Sequence, residues 1–202
     1  MRALIERSRE HGAPYTVSKV FSDKADAAGL EVARGFGVPA QALVSSTGPA
    51  NRTAYDAALA AAVHECSPSL VVLAGFMRIL SPQFVAEFSG KMLNIHPSLL
   101  PKYPGLHTHR RVLQARESEH GATVHFVTEQ LDGGPPVIQA RIAVSAADDE
   151  ASLAARVQTL EHRIYPLAVR WFCEGRLRYE DGRAWLDGRA LNEPVQFTGD
   201  ER

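Results

Sequence analysis

Leu70-Val71-Val72-Leu73-Ala74-Gly75-Phe76 is the stretch that decides the fold. It is a continuous apolar run with no alternation of polar and apolar positions. That pattern belongs to a strand covered by helices on both faces, as in a parallel sheet. Working outward, helical and strand-like segments alternate. Residues 2–10 read as a helix, Tyr15 to Phe21 as a short strand, and Asp23 to Arg34 as a second helix stopped by Gly35 and Gly37. Val38 to Val44 reads as a strand. Asn51 caps a helix whose Tyr55, Leu59, Ala62, Val63 and Cys66 keep the 3.6-residue period. Downstream, Met92–Ile95, Ala122–Val127 and Val137–Val144 read as strands. A long helix follows Asp148-Asp149, marked by Leu153, Val157, Leu160, Ile164, Leu167 and Trp171, with Pro166 expected to kink or interrupt it. Leu177 to Trp185 carries Asp181-Gly182 and predicts a hairpin. The sum is an α/β fold, doubly wound around a mainly parallel sheet. Such sheets bind ligands beyond the carboxyl ends of their strands, which directs attention to the loops after Phe76, His96 and Val127.

Composition narrows the function classes. The 202 residues carry 22 Lys+Arg against 23 Asp+Glu, so no basic excess exists to coat a nucleic acid. The apolar run ends at Arg78, too short to span a bilayer. Met1-Arg2-Ala3-Leu4-Ile5-Glu6-Arg7 lacks the apolar core of a signal peptide, so a cytoplasmic protein without membrane or nucleic-acid partners is expected. Cys66 and Cys173 form no metal-type spacing and read as small core residues. The eight histidines include His107, His109, His120 and His125, but no His-Glu-x-x-His accompanies them, and no metal is expected. His109-Arg110-Arg111 reads as the polar start of a helix. Oligomeric state is left open.

Three places could carry chemistry. Asn94 and His96 are two apart on a strand and share a face. The amide can donate to a developing oxyanion, and the imidazole can move a proton near neutral pH. From spacing alone, a turn-stabilising amide and a strand-ending histidine make the more ordinary reading, because two polar residues form no specific motif. Asp132 opens the stiff turn Asp132-Gly133-Gly134-Pro135-Pro136. A carboxylate held there would favour and orient an imidazolium, while an Asp before Gly-Gly is also an ordinary turn former. Arg78, directly after the apolar strand, is placed to meet an anionic or heteroaromatic group, or to sit as a surface arginine.

Taken together, these residues are recognisable. Ala74-Gly75-Phe76-Met77-Arg78-Ile79-Leu80, the string from Asn94-Ile95-His96-Pro97-Ser98 through Lys102-Tyr103-Pro104-Gly105-Leu106-His107-Thr108-His109, and Leu131-Asp132-Gly133-Gly134-Pro135 closely resemble the phosphoribosylglycinamide formyltransferases. The resemblance implies a Rossmann-like formyltransferase domain over residues 1–190 and a loose tail over 191–202. It implies transfer of the formyl group of 10-formyltetrahydrofolate, as co-substrate, to the amine of glycinamide ribonucleotide, without a metal. Asn94 would donate to the oxyanion, His96 would supply the proton, and Asp132 would hold the histidine and an ordered water. By the same resemblance Arg52, Arg78, Ile79, Leu80 and Thr128, with Asn94 and Asp132, face the folate. Met77, Gly105 and Glu161 match positions that contact the ribonucleotide.

One departure accompanies it. Members of the family open with a buried strand and a Gly-x-Gly-Ser-Asn loop that cradles a phosphate, whereas Met1 here matches the following helix. The expectation is a doubly wound sheet lacking its first, central strand, from a start codon assigned too late. A shortened folate-binding homologue with little or no transferase activity is the alternative. A formyltetrahydrofolate hydrolase could use the same three residues with water as nucleophile, but the Lys102–His109 string speaks for the glycinamide ribonucleotide branch. A tRNA formyltransferase would need a basic RNA-binding segment after Trp185.

Overall fold

The computed structural model describes residues 1–44 and 52–199. The expected cap at Asn51 lies outside the described residues. The helices are α1 (Arg2–Arg7), α2 (Ala28–Gly35), α3 (Arg52–His64), α4 (Pro82–Glu87), α5 (Thr108–Gln114) and α6 (Glu150–Cys173). The strands are β1 (Val20–Ser22), β2 (Ala40–Ala42), β3 (Val71–Leu73), β4 (Met92–His96), β5 (Glu119–Phe126), β6 (Pro136–Ala143), β7 (Leu177–Glu180), β8 (Arg183–Leu186), β9 (Arg189–Ala190) and β10 (Val195–Gln196). This is the α/β, Rossmann-like arrangement. Of the five strand pairings in its layered part, β1–β2, β3–β4 and β6–β10 are parallel, while β4–β5 and β5–β6 are antiparallel.

Burial on both faces follows from β4. Met92 packs with Tyr55, Leu59 and Val63 of α3 and Phe84 and Val85 of α4. Its neighbour Leu93 packs with Leu153, Val157 and Ile164 of α6. Successive strand residues point to opposite faces, so this split shows a helical layer on each side. Helix α6 starts with a reciprocal cap, in which the Asp149 side chain accepts from Ser152 N and Ser152 Oγ accepts from Asp149 N. Pro166 does not interrupt it. The helix runs on to Cys173, with Pro166 buried among its neighbours, because tertiary packing outweighs the one backbone bond that proline removes.

Several strands are shorter than the sequence suggests. Of the expected strands, Tyr15–Phe21 is paired only from Val20, in β1 (Val20–Ser22), 38–44 only over Ala40–Ala42, and 70–76 only over Val71–Leu73. The cause lies between β1 and β3. These strands belong to separate sheets, ordered β1-β2 and β10-β6-β5-β4-β3. The cleft between them has a volume of about 600 Å³ and is walled by Val17, Val20, Leu70, Val72, Leu59 and Val169. The facing edges of β1 and β3 are not bonded to each other. An edge without a ladder partner does not hold extended geometry along its full apolar length.

The tail expected to be loose is docked: Val195–Gln196 pairs parallel with Ile138–Gln139, and Phe197 N donates to Gln139 O at 2.8 Å. Val195 and Phe197 pack on the main core, which explains the ordering. Helix α4, absent from the sequence reading, is nucleated by Ser81, whose side chain accepts from Phe84 N, and by Pro82 at its first position. The Asp181-Gly182 hairpin forms as expected, with φ of 50° and 74°, the left-handed geometry of its tight turn.

The helix layer grips the sheet through one hydroxyl. Tyr165 Oη of α6 lies 2.7 Å from Leu73 O and 2.9 Å from Leu93 O, so one buried side chain reaches carbonyls of both β3 and β4. Tyr165→Phe leaves these carbonyls without that donor. It is expected to cost about 1–2 kcal/mol, read as a fall in Tm of roughly 2–8 °C.

Candidate active site

Asn94 and His96 lie at the carboxyl end of β4, on the face that Met92 starts. The proline-rich segment that follows is pinned beneath them. Thr123 Oγ1 of β5 donates to Ser98 O at 2.6 Å and accepts from Leu100 N at 3.1 Å, and Gln139 Nε2 donates to Leu100 O at 2.7 Å. This anchoring returns the loop to the strand it left, so that His96 Nε2 stands 2.9 Å from Tyr103 O. The other ring nitrogen, Nδ1, lies 3.3 Å from Asp132 Oδ2, with both side chains more than nine-tenths buried. Both partners are acceptors, so the doubly protonated ring satisfies both contacts.

Asp132 reaches this position from the far side. It sits in the left-handed region, at φ 50°, in the turn between β5 and β6. Its Oδ2 also accepts from Gly105 N at 2.8 Å, which joins its turn to the loop after β4. The turn needs glycine at position 134, where a Cβ would lie 1.9 Å from Phe126 O. His125 of β5 completes the cluster, with Nε2 3.2 Å from Asn94 Nδ2 and 3.8 Å from Asp132 Oδ1. The structure thus brings together Asn94, His96, Gly105 and Asp132 and adds Tyr103 and His125.

The other expected positions make contacts of their own. Arg78 follows β3 and lies with its guanidinium 4.1 Å from the Tyr55 ring centroid and 3.9 Å from Asp23 Oδ2. Its Nε is buried and has no partner among the described residues. Leu80 packs on the α3–α4 core beside Val127, one residue before Thr128. Arg52 is exposed at the start of α3, and Thr128 Oγ1 lies 3.5 Å from Gln130 O. Glu161 projects from α6 one turn before Tyr165, where burial pushes its carboxyl above the usual range. Met77, Ile79, Leu106 and Leu131 are exposed large apolar side chains on these same loops, an arrangement that suits an apolar ligand body.

His109 and His120 have a structural explanation. His109 Nδ1 lies 3.0 Å from His120 Nε2. Burial pushes His120 down to about 4, and the neighbouring His109 adds to the effect. Burial lowers His109 as well. Among the described residues, no three His, Cys, Asp or Glu side chains are placed to hold a metal ion. Among the same residues, no helix is long and apolar enough to cross a membrane.

An amide, an imidazole and a carboxylate meet at the strand ends of this Rossmann-like layer, an arrangement suited to acyl transfer. The chain belongs to the formyl transferase family, which matches residues 1–169. It is 51% identical over 201 residues to the phosphoribosylglycinamide formyltransferase of Escherichia coli K12, covering 100% of this chain and 94% of that protein. The Haemophilus influenzae protein of the same name is 44% identical over 95% of this chain and 90% of its own length. The solved phosphoribosylglycinamide formyltransferase of Coxiella burnetii superposes with a TM-score of 0.91 at 43% identity, over 97% of this chain and 92% of that one.

Two measurements test this geometry. Gly134→Ala forces the turn off Phe126 O and is expected to destabilise the protein by about 1–3 kcal/mol, with a longer His96–Asp132 separation in a crystal structure of the variant. Acid should destabilise the fold through the His109–His120 pair. The folded state keeps these rings neutral, whereas the unfolded chain takes up protons from roughly pH 6.5 downward. Stability is therefore complete near neutrality and is lost as pH falls from there toward about 4. Tm measured across this range should decline, and His120→Gln should flatten the slope.

Proposed function

We propose that this protein transfers the formyl group of 10-formyltetrahydrofolate to the amine of glycinamide ribonucleotide, in the cytoplasm, as a step of de novo purine biosynthesis. The observation that carries the reading is the burial of one Asp–His pair beside an amide donor at the end of β4. Kinship with proteins named for that reaction supports the choice of substrates.

The amine nitrogen attacks the formyl carbon, forming a C–N bond and moving the carbonyl electrons onto oxygen. Asn94 Nδ2 donates to that oxyanion, and His96 Nε2–H joins it only by leaving Tyr103 O. Preorganised donors of this kind act at the charge that develops and need no reorganisation when it appears. Collapse of the tetrahedral intermediate breaks the bond to the folate nitrogen. The attacking amine gives up one proton and the departing folate nitrogen takes one, so a single group that can hold a proton serves both. His96 fits this role. Its Nε2–H faces a backbone carbonyl, which accepts a hydrogen bond but is a far weaker base than the imidazole, so the proton stays available. Asp132 Oδ2 on Nδ1 orients the ring and stabilises its charged form.

Around this centre, Arg52, Arg78, Ile79, Leu80 and Thr128, with Asn94 and Asp132, face the folate. Arg78 offers a flat, partly unpartnered guanidinium, and the exposed Ile79 an apolar surface. Met77, Gly105 and Glu161 face the ribonucleotide, with Glu161 accepting from ribose hydroxyls. No metal takes part, because the amine and the activated formyl group react without a Lewis acid.

In a transfer assay that follows tetrahydrofolate release, Asn94→Ala is expected to lower kcat by about 10²–10³, and His96→Ala by about 10²–10⁴. Asp132→Asn should fall in the same range, and all three should keep a cooperative melt. Near-parental turnover in any of them removes that residue from the mechanism. Formate release at equal rates with and without glycinamide ribonucleotide would instead assign hydrolysis. Calorimetric binding of folate alone would assign a non-catalytic folate binder.

A further inference from the structure

Asn94 can serve as an oxyanion donor only if its amide presents nitrogen, not oxygen, to the reacting centre. The two ends are nearly the same size, so sterics alone do not choose between them. The structure supplies the choice from the neighbouring strand. Asn94 of β4 is directly paired with His125 of β5, and Asn94 Nδ2 lies 3.2 Å from His125 Nε2. His125 Nδ1 lies 2.8 Å from the carbonyl of Phe126, an obligate acceptor, so Nδ1 carries the proton. In the neutral ring Nε2 is then a bare lone pair. It attracts an N–H of Asn94 and repels its carbonyl oxygen.

We infer that His125 is a positioning residue: as a neutral Nδ1–H imidazole it locks the Asn94 amide with its nitrogen toward the reacting centre. The inference rests on the assignment of Asn94 proposed above. Neutrality matters twice. A protonated His125 would present Nε2–H to Asn94, attract the oxygen and turn the amide over. It would also pair with Asp132 Oδ1, now 3.8 Å away and beyond hydrogen-bond distance, and compete with His96 for that carboxylate. The charged and titratable groups facing His125 are Asp132 from the β5–β6 turn and His96 from β4. Burial is the strongest influence on the ring and keeps it neutral: His125 is 2% exposed, and its proton affinity is lowered.

A double-mutant cycle on the whole protein tests this. His125→Leu removes the lone pair and is expected to lower kcat about 10- to 100-fold, as loss of a supporting contact does elsewhere, while KM for both substrates changes less than about 3-fold by the same argument, since the ground-state contacts are retained. His125→Gln, whose oxygen can accept from Asn94, should recover most of the loss. In an Asn94→Ala background, either His125 substitution should have no further effect on kcat. Multiplicative losses in the double variants would overturn the inference and leave the role of Asn94 intact. If Asn94→Ala alone keeps full turnover, the reading of the site fails instead. Should His125→Leu fail to fold, the His125→Gln cycle and the ring ¹⁵N shifts of the parent protein decide. At pH 7 these shifts should report Nδ1–H on His125, and an Nε2–H tautomer or an imidazolium would overturn the lock.

Discussion

The carboxylate of Asp132 is the constraint on which the site depends. One oxygen meets Gly105 N at 2.8 Å and His96 Nδ1 at 3.3 Å, while the other faces His125. A single side chain thus joins the loop after β4, the end of β4 itself and the strand β5. These segments are held in register by one carboxylate, almost entirely removed from water. Buried charge is tolerated only where its partners are in place, so the loops have little freedom to separate. The left-handed backbone at Asp132 and the glycine at 134 are local costs that this arrangement offsets.

Around that carboxylate the sheet separates its two faces by chemistry. On β4 the odd-numbered neighbours Leu93 and Ile95 pack against the α6 layer, while Met92, Asn94 and His96 face the other way. On β5 the same division puts Val124 and Phe126 in the apolar core and Thr123 and His125 in a polar seam beside Asn94 and His96. Thr123 and Gln139 satisfy the backbone of the loop that carries Tyr103, so the seam is hydrogen-bonded along its length. A half-satisfied seam would be costlier than an apolar one, which makes its members mutually dependent.

Local signals in the chain carry over into the structure. Asn94, His96, Asp132 and Gly105 were named from strand periodicity, turn chemistry and family likeness, and all four meet in space. Arg78, Ile79 and Leu80 were placed after an apolar strand, and they lie there. The expected strand lengths failed around β1, β2 and β3, where an apolar run is extended only as far as it has a paired neighbour. Pro166 predicts a kink or interruption near the end of α6, and the packing around it lets the helix run on to Cys173. The tail was read as loose because two ladder residues carry almost no periodicity. His125 and Tyr103 were not seen as part of the site. His125 depends on an antiparallel register with β4, and Tyr103 acts through its backbone carbonyl, which leaves no trace in side-chain type.

The sequence by itself determined the α/β class, because a continuous apolar run with helices on either side of it in the chain can be buried in few other ways. It also determined the chemical identity of the amide, the imidazole and the carboxylate. Only the tertiary structure decided that β5 and β6 run antiparallel, that Tyr103 returns to His96, and that His125 sits opposite Asn94. These are relations between segments distant along the chain, set by register and by which backbone groups remain to be satisfied. No residue's own side chain encodes them.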